Sequence, residues 1–223
     1  MKQLEPKLEK YIDLLIKRYP KLESIKQSII AAYLVMEKAY EGDHKLLVAG
    51  NGGSATDSEH IAGELMKRFK TPRPITQSLA KKLIAADPKR GPELAKNLER
   101  SLMTIPLVAH EALSTAYIND VDGYGVFAQQ LFGFGRPGDV FLGISTSGNS
   151  QNIMNATVVA KALDIKVIGL TGANGGELAT SADVAVKAPE TETYMVQELH
   201  LPIYHCWCMM LEDHFFGKQG NYE

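Results

Sequence analysis

Phe141-Leu-Gly-Ile-Ser-Thr-Ser-Gly-Asn-Ser150 reads as a buried strand that runs into a hydroxyl-rich turn and then a helix. Val140 to Ile144 is a short, mostly apolar run behind Pro137-Gly138-Asp139, the pattern of a strand covered on both faces. Ser145, Thr146, Ser147 and Ser150 place four hydroxyls within six residues, and Gly148 lets the backbone approach a ligand closely. Ile153, Val158, Val159 and Leu163 continue at helical spacing, so the turn lies at a helix N-terminus. Unpaired N–H groups and the positive end of the macrodipole favour an anion there. An ordinary Ser/Asn-capped strand-to-helix turn is the plainer alternative, but hydroxyls and glycine together favour phosphate. No Lys follows at nucleotide P-loop spacing.

Working outward, strands alternate with helices. Lys45 to Gly50 is a short apolar strand ending in Asn51-Gly52-Gly53-Ser54, a glycine turn that opens a helix over 55–69. The turn lacks the third glycine of a dinucleotide site. Further strands are expected at 105–109, 166–171 and 183–187, with helices at 125–132 and 198–216 and Asn119-Asp120 in a loop. The pattern predicts an α/β fold: a doubly wound, five-stranded parallel sheet with helices on both faces. Two helices over 5–19 and 21–41 precede the first strand as a hairpin, carrying Leu8, Ile12, Leu15, then Ile25, Ile29, Tyr33 and Met36. Residues 71–104 are broken by Thr71-Pro-Arg-Pro74 and Asp87-Pro88, and their leucine spacing predicts two short helices in an excursion from the sheet. The whole of 1–223 is expected to be one domain.

With 45% hydrophobic and 22% charged residues the composition is that of a soluble globular chain, expected in the cytoplasm. A formal net charge of −2 offers no field for nucleic acid and no reason to invoke a membrane surface. Cys206 and Cys208 flank Trp207 in an apolar helical stretch, where core thiols are expected rather than a disulfide or metal site.

His60 and Glu64 stand at i, i+4 on the helix leaving the first strand, on one face and near the expected crevice at the strand ends. Gln197, His200 and His205 share the last helical stretch. On a straight helix Gln197 and His205 lie ~12 Å apart along the axis. Either Pro202 lets Gln197 leave the regular helix, or the two serve different sites or subunits.

Taken together, Gly50-Asn-Gly-Gly-Ser54, His60/Glu64, Asn119-Asp120, Gly143-Ile-Ser-Thr-Ser-Gly-Asn-Ser150, Leu170-Thr-Gly172, Gln197-Glu198 and His205 resemble the phosphosugar isomerases of the sugar-isomerase (SIS) fold. The resemblance is closest to those that isomerise sedoheptulose 7-phosphate and covers roughly 45–216, leaving out the excursion. It implies an aldose–ketose isomerase that moves a proton through an enediolate, with Glu64 as base and His205 as acid. It also implies zinc on His60, Glu64, Gln197 and His205, and the sugar phosphate on Ser145, Thr146, Ser147 and Ser150. Asn51, Gly52, Gly53, Ser54, Arg68, Asn119, Asp120 and Gln197 would line the sugar site, in a homotetramer with sites between subunits. The chain departs from the pattern in its longer excursion and in Tyr194, where the heptose enzymes carry an Asp. Some members of the fold bind sugar phosphates or a protein partner without catalysis; the presence of both Glu64 and His205 favours the enzyme.

Overall fold

The structure, a computed structural model, describes residues 3–217. Five parallel strands, β1 (Leu46–Ala49), β2 (Thr104–Pro106), β3 (Val140–Ser145), β4 (Lys166–Thr171) and β5 (Val184–Lys187), lie in the order β2-β1-β3-β4-β5. Leu46 pairs with both Thr104 and Val140, and Ser145 with Thr171, so β1 and β3 are central. Side chains alternate across the pleat. Leu46, Val48, Leu142, Ile144, Ile168 and Leu170 face one core, and Leu47, Ala49, Phe141 and Val167 face the other.

The first core is closed by α1 (Glu9–Arg18), α2 (Lys26–Glu41), α3 (Gly53–Met66) and the long α10 (Thr193–Phe216). Cys206, Trp207 and Cys208 are all buried there with both thiols free, and burial pushes both thiols up, Cys206 to about 12. The second core packs under α7 (Val126–Phe134), α8 (Gln151–Ala162) and α9 (Gly176–Ser181). Helices on both faces of a parallel sheet bear out the doubly wound reading.

The excursion holds the two expected helices, α4 (Gln77–Ala86) and α5 (Gly91–Asn97), packed on each other. Of its leucines Leu79, Leu94 and Leu98 are exposed, while Leu102, just before β2, is buried in the first core. Three differences from the sequence reading bear on the site. Asn119 and Asp120 end a helix, α6 (Glu111–Asp120), instead of standing in a loop. No side chain of that helix is buried, so it had no apolar stripe to read. Residues 107–109 lie beyond β2, which is shorter than expected. Finally, α10 runs unbroken through Pro202, so Gln197 does not leave the regular helix. No described helix is long and apolar enough to cross a membrane.

Candidate functional site

In this strand order the chain reverses direction across the sheet between β1 and β3, and a crevice opens beyond the carboxyl ends of strands at such a point. The turns after these two strands form its walls. Asn51, Gly52, Gly53, Ser54, Ser145, Thr146, Ser150, Thr193 and Gln197 line a cavity of about 360 Å³. Asn51 and Asn152 exchange amide hydrogen bonds of 3.0 and 2.8 Å, tying the two turns together.

The hydroxyl turn differs from a capped strand-to-helix turn. Ser150 is the residue before α8, yet its side chain makes no cap to the helix. Its hydroxyl instead bonds the Ser145 hydroxyl at 2.8 Å, and Ser145 Oγ accepts from Gly148 N at 3.1 Å. The helix start therefore keeps first-turn N–H groups without a Ser150 cap, as an anion site requires. Gly148 has φ +70, and a Cβ there would stand 1.9 Å from Gly175 O, so only glycine closes this turn. Ser147 lies on the other side of the turn, in an adjoining cavity, and its hydroxyl accepts from Asn149 N at 3.2 Å.

The first turns of α3 lead from the crevice to His60 and Glu64. His60 Nε2 lies 3.3 Å from Glu64 Oε1 and 3.4 Å from Nε2 of His205 on α10. The Glu64 side chain is 15% exposed and that of His60 41%, so the carboxylate is sheltered and the imidazole open. Tyr204 donates its hydroxyl proton to Asp57 Oδ1 at 3.0 Å, and the Tyr204 hydroxyl oxygen lies 3.1 Å from His60 Nδ1. With its only proton committed, Tyr204 accepts from Nδ1–H, which leaves a lone pair on His60 Nε2 toward Glu64 and His205. Burial, then the neighbouring His60, holds the His205 imidazole below its usual value and so neutral. His60 Nε2 thus faces a carboxylate and a second imidazole, donor types that a zinc ion accepts. The 3.3 and 3.4 Å separations suit neighbouring donors of one ion, but among the described residues the three do not all meet within 4.8 Å.

Other expected residues fall elsewhere. Gln197 is in the crevice, its amide against Gly53, where a Cβ would stand 2.6 Å from Gln197 Nε2. It is a rise of ~12 Å from His205 along α10, so the structure groups His60, Glu64 and His205 without it. Arg68 turns to Glu99 of the excursion at 3.2 Å, and Asn119 bonds Asp120 at 2.8 Å on the exposed end of α6; none of the three lines the crevice. His200 is structural: wholly buried, bonded to Thr171 O at 3.1 Å, and pushed down to about 4 by burial. Among the described residues, the donors that all meet within 4.8 Å are a different set, Glu5, Glu37 and His214, where the N-terminal segment, α2 and α10 converge. Sequence reasoning missed Asp57 and Tyr204. Asp57 lies one turn before His60, a spacing that was available; Tyr204 carried no signal before α10 was placed against α3.

Comparison with known proteins agrees with this geometry. The model of the SIS domain family matches residues 10–103 and 91–172. The phosphoheptose isomerase of Sulfurimonas denitrificans is 41% identical over 182 residues, 82% of this chain and 80% of that one. Phosphoheptose isomerase 2 of Campylobacter jejuni is 40% identical over 187 residues, 84% and 80% of the two chains. The solved phosphoheptose isomerase of Neisseria gonorrhoeae superposes with a TM-score of 0.70 at 29% identity, covering 93% of this chain and 97% of that one. A crevice at the β1/β3 reversal, a glycine turn facing a hydroxyl turn, and these relatives together place the chain in the SIS domain family, among the phosphoheptose isomerases.

Proposed function

We propose that the chain interconverts a ketose and an aldose phosphate of seven carbons, sedoheptulose 7-phosphate and its aldoheptose isomer. The observation that carries this is the convergence of Glu64 Oε1 and His205 Nε2 on His60 Nε2, at 3.3 and 3.4 Å, down the helix from an anion-suited turn. Seven residues of α3 separate the crevice rim at Gly53 from His60, a rise of ~10 Å. A phosphate held at the β3 turn therefore leaves its carbonyl end to reach the His60 group only if the carbon chain is long and extended, as in a heptose. Ser145, Thr146, Ser147 and Ser150 with the α8 N–H groups would bind the phosphate; Asn51, Ser54 and Gln197 would hold hydroxyls along the crevice. Binding energy at the phosphate fixes the position of carbons remote from it.

At the other end Glu64, sheltered and within the same cluster, takes the proton from the carbon beside the carbonyl and returns it to the neighbouring carbon. His205 exchanges the hydroxyl proton with the oxygen. His60, Glu64 and His205 would hold a zinc ion; Gln197, ~12 Å from His205 along α10, would complete the family's ligand set only from a neighbouring subunit. Such an ion supplies charge stabilisation for a developing oxyanion. The metal is supported by the donor types of the three side chains and by the approach of Glu64 and His205 to His60 Nε2. We also propose a homotetramer in the cytoplasm. Exposed Leu113, Ile118 and Val121 on and just beyond α6, and Arg68, Asn119 and Asp120 outside their own crevice, fit residues offered to neighbouring subunits. A screen of five- to seven-carbon sugar phosphates for aldose–ketose exchange, with and without chelator, tests the reading. Turnover confined to the heptose and lost with chelator is expected; turnover of a pentose phosphate alone would replace the substrate.

A further inference from the structure

Arg73 and Glu212 form a fully buried ion pair, 0% and 2% exposed, that neither the anion turn nor the His60 cluster uses. Arg73 comes from Thr71-Pro-Arg-Pro74, a stretch whose sequence reads only as a break. Its Nε donates to Glu212 Oε1 at 3.0 Å, and one terminal nitrogen lies 2.9 Å from the same oxygen. The terminal nitrogens also donate to the carbonyls of Leu65 and Glu64, at 2.7 and 3.1 Å. Those carbonyls belong to the last turn of α3, which has no intrahelical donor for them and carries the negative end of the dipole. Glu212 also accepts from three backbone N–H groups, Phe69 at 2.7 Å, Lys70 at 2.8 Å and Thr71 at 3.0 Å. The Phe216 ring lies 4.5 Å from the guanidinium carbon.

We infer that Arg73 and Glu212 are positioning residues that set Glu64 against His205. Arg73 grips the backbone carbonyl of Glu64 itself. Glu212 is seven residues after His205, two turns along the same face of α10. The pair thus joins the end of the helix bearing Glu64 to the helix bearing His205, on the far side of the cluster from the Tyr204–Asp57 bond. The two ties bracket the three side chains. An apolar pair of similar volume would avoid the cost of burying two charges but would leave three N–H groups and two carbonyls unpaired. A planar fork that reaches two carbonyls and a carboxylate at once fixes geometry as Lys or an apolar side chain cannot. The inference rests on the function proposed above, and its test includes a measurement that needs no substrate.

The test compares wild type, Arg73→Lys, and the charge-free double variant Arg73→Met/Glu212→Leu, by thermal melting, zinc affinity in chelator competition, and kcat and KM on the heptose phosphate. If the pair positions Glu64, the double variant melts lower, because three N–H groups and two carbonyls lose their partners, and in the folded protein kcat falls about 10–100-fold with KM little changed while zinc binds about tenfold more weakly. A folded double variant with wild-type zinc affinity and kcat overturns the inference, whatever its melting temperature. Should the double variant not fold, Arg73→Lys decides: weakened zinc and kcat in a folded protein support it, unchanged values overturn it. If wild type turns over no sugar phosphate, the proposed function fails, while chelator competition still judges the clamp.

Discussion

Tyr204→Phe removes one oxygen from the centre of the site and leaves the ring in place. Tyr204 is 1% exposed and its ring packs edge-on to His60 and His205, with centroids 5.5 and 5.0 Å away. Packing survives the substitution; two hydrogen bonds do not. The His60 Nδ1 proton loses its acceptor at 3.1 Å, and the Asp57 carboxylate, whose pKa burial already raises, loses its donor at 3.0 Å. Leaving those groups without their partner costs about 1–2 kcal/mol of stability, or roughly 2–8 °C in melting temperature for a chain of this size. The larger consequence is for metal binding. A ligating His that loses its outer partner can rotate and change tautomer, and such losses weaken metal binding about 10–100-fold, equivalent to about 1.4–2.7 kcal/mol. Chelator competition reads that change directly, and a zinc titration of activity reads it independently. A Tyr204→Phe protein that melts lower yet binds zinc with wild-type affinity would refute the argument that Tyr204 orients His60.

Gly148→Ala puts a Cβ 1.9 Å from Gly175 O at φ +70, so the hydroxyl turn must deform; inorganic phosphate affinity by calorimetry should fall at least tenfold. Gly53→Ala meets only the mobile end of Gln197, at 2.6 Å, so melting should change little while KM for the sugar phosphate rises about tenfold. His200 titrates near 4 when folded and near 6.5 when unfolded, so between these values the unfolded chain binds the extra proton. Its contribution is complete above pH 6.5 and is lost as pH falls toward 4, by about 3 kcal/mol in all. Denaturant unfolding at pH 7 and 4.5 should show this loss in wild type and a smaller one in His200→Gln.

The strand-turn-helix at 140–163 was legible because a buried parallel strand reads as an unbroken apolar run, and the glycine turn after β1 for the same reason. The excursion's two helices were legible from leucine spacing and proline breaks, although Leu79, Leu94 and Leu98 are exposed and enter neither core. Helix α6 was not legible, since a helix with no buried side chain imposes no period on its sequence. The six residues of α9 begin at Gly176, behind Gly175, both at positive φ, and carried no helical pattern long enough to read. Within the site, His60 and Glu64 follow from local spacing, because one helix carries both. The approach of His205 to His60, and the hold of Glu212 on residues 69–73, join positions more than 130 apart. No local pattern encodes such distances; they exist only once α10 lies across α3.

The most direct measurement is proton exchange between C1 and C2 of sedoheptulose 7-phosphate, followed by NMR in deuterated water, for wild type and Glu64→Gln loaded with zinc. The account predicts aldoheptose formation with deuterium entering at C2 in wild type. It predicts a rate loss of about 10²–10⁴-fold in Glu64→Gln, with affinity for the phosphorylated sugar largely kept. Wild-type exchange that Glu64→Gln leaves unchanged would contradict the account, as would a zinc-loaded wild type that binds the sugar phosphate and exchanges nothing.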